Sequence, residues 1–148
     1  MGIALGNCEK SFDMGCAAFN RLRTRIAQIY NEDLGELYDE LGNFSKMDER
    51  KKELGLSYDD NKGYYDDYNS RLNDLVNKLE LDVDILDFLY APDCEGKASS
   101  KTCKKLYDLI KEVQSDTVYG YAHAYMTWEQ FKELLWNCAR KRRQLKWY

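Results

Sequence analysis

The sequence predicts a mainly α-helical chain, a bundle of about five to six helices with either a loop or one small β element near residues 117–126. Three observations predict it. Apolar residues recur at three-and-four spacing in four segments, as one buried face of a helix requires. Capping side chains stand ahead of those segments, and glycine or proline follows several of them. Only one run, Val118, Tyr119, Tyr121 and Tyr125, has good strand propensity, and Gly120 and alanines interrupt it with no obvious mate. With 148 residues, 44% of them hydrophobic, the chain can close one core, so a single helical domain over 1–148 is expected.

The first helix is expected to open near Asp13 and run to Tyr30. Phe19, Leu22, Ile26, Ile29 and Tyr30 then share an apolar stripe, while Arg21, Arg25 and Gln28 fall together on another face. Asp33 can cap a continuation through Leu34, Leu37, Tyr38 and Leu41 to Gly42, either as a bend in the same helix or as a second one. Ser45 and Asp48 mark a short segment ending at Gly55, too polar to be core. Tyr64, Tyr68, Leu72, Leu75, Val76 and Leu79 align on the next amphipathic helix. Ile85, Leu86, Phe88 and Leu89 form a short buried helix that stops before Pro92, and Asp82 and Asp84 suit the positive end of its dipole. Ser99 or Ser100 caps a helix carrying Cys103, Leu106, Tyr107, Ile110 and Val113. Thr127 and Gln130 have capping-box spacing and open a last helix with Trp128, Phe131, Leu134, Leu135 and Cys138 on one face. Trp128, Phe131, Leu135, Leu72, Leu75 and Phe19 should share the core.

Few residues suggest catalysis. His123 is the single histidine and stands among small and tyrosine residues without a flanking nucleophile signature. Five cysteines with no C-x-x-C pair argue against a disulfide framework and a zinc site, and a bridge between Cys94 and Cys103 is disfavoured by a reducing compartment. Asp82, Asp84, Asp87, Asp93 and Glu95 offer oxygen ligands of the kind hard cations take, but not at EF-hand spacing, and helix capping accounts for the first two. No glycine-rich phosphate loop is present. No metal and no cofactor is expected. The chain has no apolar run of about 18 residues and no basic-apolar leader, and Gly6 stands where a myristoylation motif wants Ser or Thr. A cytoplasmic location without a membrane partner follows as the expectation.

Charge is unevenly placed. Residues 31–96 carry 19 acidic and 7 basic side chains, and the remainder carries 7 acidic and 15 basic. Arg21, Arg23 and Arg25 concentrate guanidinium groups suited to phosphate or carboxylate, yet Arg23 lies about 200° round the helix from Arg21, so one ligand cannot meet all three. At least one should be partnered by the protein's own acids, with Asp93 or Glu95 as the candidates. Arg140, Lys141, Arg142 and Arg143, followed by Lys146, Trp147 and Tyr148, form a basic and aromatic tail that complements a helix dipole or takes an acidic partner surface. A sequence pI near 5.1 disfavours direct DNA binding.

Phe19-Asn20-Arg21-Leu22-Arg23, then Pro92-Asp93-Cys94-Glu95-Gly96, then a helix containing Cys103 make a further pattern. It resembles a set of small, largely uncharacterised bacterial and phage proteins with an F-x-R-x-R-like helix, an S-D-C-D-G-like turn and a C-terminal helix bearing an aromatic, here Phe131. Pro92 and Glu95 replace the Ser and Asp of that turn. The resemblance implies a phage or prophage setting and no particular activity. The expected function is a non-enzymatic binding protein, a counter-defence factor that blocks a host immune protein or sequesters a nucleotide signal in the host cytoplasm. Arg21, Arg23, Arg25, Asp93, Glu95, Arg140, Arg142 and Arg143 are the candidate contacts to a host protein or a small phosphorylated ligand. The alternatives are a small divalent-metal-dependent enzyme using the acidic 82–95 region and a structural or regulatory oligomer.

Overall fold

The computed structural model describes residues 2–114 and 124–148, with side chains for all of these except 124–126. The chain is mostly helical, and a small antiparallel sheet joins the helices. In order, the described elements are β1 (Gly2–Gly6), β2 (Ser11–Gly15), α1 (Cys16–Tyr30), α2 (Glu32–Leu41), α3 (Phe44–Glu53), α4 (Asn61–Leu79), α5 (Val83–Tyr90), β3 (Gly96–Ala98), α6 (Ser100–Ile110), α7 (Ala124–Lys141) and β4 (Leu145–Trp147). These seven helices exceed the expected five to six because Asn31 separates α1 from α2, its side chain accepting from Leu34 N as the cap of α2. The cap expected at Asp33 is therefore two residues late. Asp82 and Ser99 do cap α5 and α6, accepting from Asp84 N and Thr102 N.

The sheet is the main departure from expectation. Its strands run in the order β2-β1-β4-β3, all antiparallel, so the last strand of the chain sits between the first and the third. Asp13 lies in β2 rather than at a helix start. The 117–123 part of the expected β element, with His123, lies outside the described residues, and residues 124–126 open α7 instead. Thr127 is thus already inside a helix and is not its cap. The basic tail is not a free end: Arg142 takes the left-handed conformation (φ 55°), and Arg143 N bonds back to Cys138 O at 2.9 Å. That six-to-one closure reverses the chain and sends Leu145–Trp147 into the sheet.

Alternation along the strands buries Ile3, Leu5, Met14, Leu145 and Trp147 against the helices. They join Phe19, Leu22, Ile26, Phe88, Leu106, Trp128, Phe131, Leu135 and Cys138 in one large cluster. Trp147 is its hub, with ring centroids 5.5 Å from Phe19 and 5.7 Å from Phe88, and its indole N–H donates to Pro92 O at 2.9 Å. Gly96 must lack a side chain, since a Cβ there would occupy the position of the Trp147 ring. The turn at 92–96 is thus built around an indole contributed by β4.

A second, smaller cluster of Leu37, Met47, Tyr64 and Tyr68 ties α2, α3 and α4 together, and Leu72, Leu75 and Tyr90 pack against both clusters. Leu72 and Leu75 therefore sit at the seam of the core, only partly buried. Helix α3 contributes more than its polarity suggested. Met47 is buried, and so is Lys51, whose ammonium donates to Tyr58 O (2.7 Å) and Asn61 Oδ1 (2.9 Å) and so closes the α3–α4 loop. No helix among the described residues is long and apolar enough to cross a membrane.

Candidate functional site

Helix α1 presents two faces of different fate. Phe19, Leu22, Arg23 and Ile26 point into the core. Arg23 is 4% exposed, and its guanidinium donates to Ala91 O (2.6 Å), Phe88 O (3.4 Å) and Asn20 Oδ1 (3.0 Å) while lying 4.5 Å from the centre of the Phe19 ring. This arginine joins α1 to the end of α5 through backbone carbonyls, and it does not pair with Asp93 or Glu95 of the 92–96 turn. A carbonyl at a helix C-terminus carries the partial negative charge that a cation satisfies there. Arg23 is accordingly a tie between elements.

The opposite face carries Asn20, Arg21, Thr24, Arg25 and Gln28. With Asp39 and Gly42 of the α2 end, they line a depression of about 420 Å³. Asn20, Thr24 and Gly42 are shared with an adjoining cleft of about 310 Å³, whose walls include Tyr38, Tyr90, Ala91 and Asp93 and whose floor reaches Arg23. The two hollows thus lie side by side along α1, and together they make the α1 trough. Asn20 Nδ2 donates to Asp93 Oδ2 at 3.4 Å, which places Asp93 on the rim, whereas Glu95 is exposed beyond it.

The tyrosines of the trough are held firmly. Tyr38 donates to Leu89 O (2.8 Å), Tyr68 and Tyr90 share a hydrogen bond of 2.8 Å, and the Tyr38 and Tyr90 rings meet edge to face at 5.2 Å. Burial pushes the Tyr38 hydroxyl above its ordinary pKa, and Asp93 adds to this while Arg23 opposes it. Burial also raises Tyr90, to about 12. Both stay neutral donors across the physiological range. Asn20, Thr24, Tyr38 and Tyr90 were not singled out as site residues in the sequence, because tyrosines at helical spacing read as core. The grouping of Arg21, Arg25 and Gln28 on one face was readable from the 3.6-residue period.

The remaining candidates lie elsewhere. Arg140 and Arg142 are exposed where α7 ends, and Arg143 Nη1 stands 3.1 Å from Glu9 Oε1. Glu9 also accepts from Lys141 and from Asn137, and these bonds hold its carboxyl down at about 2. Among the acids of 82–95, Asp82 and Asp84 both pair with Lys105 at 2.8 Å. Among the described residues, no three His, Cys, Asp or Glu side chains converge as metal ligands would.

All five cysteines are free thiols, Cys94 exposed and Cys103 buried, so the pairing weighed for these two is not made. Cys103 instead meets Cys138 across α6 and α7. Their mutual hydrogen bond raises Cys103, and it lowers Cys138, which also accepts from Asn7 Nδ2 at 3.2 Å. Comparison with protein-family models, with curated proteins and with solved structures gives no match to this chain.

Proposed function

We propose that this chain is a non-enzymatic binding protein whose α1 trough captures a small phosphorylated ligand, a nucleotide in the first instance. The observation that carries the reading is the adjacency of the two hollows that make up the trough. It sets Arg21 and Arg25 at one end and Tyr38 and Tyr90 at the other, joined by Asn20 and Thr24. Guanidinium forks match the paired oxygens of a phosphate. Amide, hydroxyl and carboxylate groups at Asn20, Thr24, Gln28 and Asp93 suit the hydroxyls and exocyclic groups of a nucleoside, and tyrosine edges suit a base. Volumes of about 310 and 420 Å³ fall at the lower end of the range for small-molecule sites. In the phage setting that the sequence resemblance implies, the use we propose is sequestration of a nucleotide signal in host defence.

Titration calorimetry with a panel of mononucleotides and cyclic dinucleotides tests this. At least one should bind, and Arg21→Ala and Arg25→Ala should each weaken it by about tenfold, the value of a lost charge-assisted contact of roughly 1.4 kcal/mol. Arg23→Ala serves as the contrast, because it should lower the melting temperature through the loss of its buried bonds. A chain that binds none of the panel at millimolar concentration would remove this reading. The acidic 31–96 region, acting as a decoy against a basic groove of a host protein, would then be the better one.

A further inference from the structure

The outer face of the sheet is built against its own stability. Leu145 and Trp147 turn inward, so Lys146 turns outward, where the register places it directly opposite Lys97 of β3 on one side and Gly6 of β1 on the other. Like charges directly opposite on neighbouring strands repel. Both lysines are exposed, and among the described residues neither takes part in a salt bridge. Tyr148 continues the outward row, 71% exposed, its backbone paired with that of Ala4 through two hydrogen bonds. Arg143 borders the same face, where Gly6, Cys8, Arg143, Lys146 and Tyr148 line a hollow of about 420 Å³. Acids stand near this face too, among them the exposed Glu95 two residues before Lys97. Glu9 is engaged by Lys141 and Arg143, and Asp13 lies on the far strand β2, opposite Ala4.

We infer that this face is a docking surface for single-stranded nucleic acid. Strand spacing of about 4.8 Å sets Lys97 and Lys146 side by side, which suits neighbouring phosphates better than a single one. An exposed tyrosine at the edge of the face offers a ring on which an unpaired base can stack. An acidic peptide would use the lysines but has no use for the ring. A net charge of −4 does not oppose the assignment, since the excess of acids belongs to residues 31–96 and the face is drawn from the basic remainder. Binding through the two lysines, with Arg143 already paired to Glu9, should be weak and salt-dependent, with a slope of about −1.4 in log affinity against log salt. This surface is distinct from the α1 trough and does not depend on it.

Fluorescence anisotropy of labelled oligothymidylate and oligouridylate at low salt, with the full chain, is the test. Lys97→Glu should raise the melting temperature, because it turns a repulsive cross-strand pair into an attractive one, and yet weaken binding by about tenfold or more. Tyr148→Ala should weaken it by about fivefold or more, as loss of a stacked base does. Lys62→Glu, an equal change of charge at an exposed site on α4, should weaken it far less. Absence of oligonucleotide binding at low salt overturns the proposal, as does binding that survives Lys97→Glu with Lys146→Glu. Binding lost in Arg21→Ala instead would assign the oligonucleotide to the trough and also overturns it. Equal binding of labelled polyglutamate, indifferent to Tyr148→Ala, would make the partner an acidic protein.

Discussion

The sheet side of the molecule and its α2–α4 side close helices over a core with different materials. On the sheet side, Phe19, Phe88, Phe131, Trp128 and Trp147 are at most 1% exposed, and the aromatic contacts run continuously from Phe131 through Phe88 to Trp147 and Phe19. On the other side only Leu37, Met47, Tyr64 and Tyr68 are buried together, and ion pairs enclose them. Arg71 grips Glu40 with two bonds of 2.7 and 2.9 Å and reaches Asp67, which Arg50 grips in turn at 2.8 and 2.9 Å. Tyr64 adds its hydroxyl to Glu40 at 2.8 Å. Apolar burial is indifferent to pH and is strengthened by excluded salts, whereas an ionic network that solvent still reaches is sensitive to both. One domain-sized chain thereby carries two kinds of stability.

The largest expected effect is on the aromatic side. Trp147→Ala should cost about 3–5 kcal/mol in urea unfolding, since it empties the centre of the cluster and strands Pro92 O. A loss below about 1 kcal/mol would mean that the sheet is peripheral to stability and that the contrast between the two sides is false.

The ionic side should show itself in acid. Hydrogen bonds from Arg50 hold Asp67 below its ordinary pKa. Burial pushes Glu40 up, but the bonds from Arg71 and Tyr64 outweigh it and leave the carboxyl lowered. A carboxylate with a lower pKa folded than unfolded stabilises fully above its unfolded value, and that contribution vanishes as pH falls through the folded value. Melting temperature should therefore decline as pH drops below about 4.3, the unfolded value for Glu. Glu40→Gln should lower stability by about 1 kcal/mol at neutral pH and flatten that acid limb. An unchanged limb in both Glu40→Gln and Asp67→Asn would show that the network contributes nothing.

The smallest effect is a gain. Arg142→Gly should stabilise by a few tenths to about 1 kcal/mol, because the left-handed backbone there strains any residue with a Cβ. Thermal unfolding at low and high salt separates this backbone effect from the loss of a charge beside Arg143 and Lys146.

How much of this was legible differs between the same two sides. Helices α4, α5 and α6 show in the sequence because the apolar period of about 3.6 residues is local and Asp82 and Ser99 mark its starts. The strands do not show, because three to five residues are too few to display a period, and their partners lie far along the chain, residue 6 against residue 146. Leu145-Lys146-Trp147 does alternate in, out, in, but after Arg140-Lys141-Arg142-Arg143 it reads as a charged tail. Arg23 was unreadable for another reason. Its partners on α5 are backbone carbonyls, and no residue type in the sequence signals where a carbonyl will stand unsatisfied. The trough suffered likewise, since Tyr38 and Tyr90 are one turn or less from core positions on their own helices.

The insertion of β4 between β1 and β3 has a consequence in time. Hairpin β1–β2 closes through a short turn and can form at once, whereas β4 must reach back to residues 96–98 and, across most of the chain, to residues 5 and 6. Bringing such ends together adds only about 0.6 kcal/mol per doubling of the loop, but contacts of this range slow folding far more than they weaken the product. The arrival of Trp147 should therefore be the last and rate-limiting event of refolding, with the quenching of its fluorescence lagging behind helix formation. During synthesis the two strand edges that β4 will cover stay open until the ribosome has made residue 147.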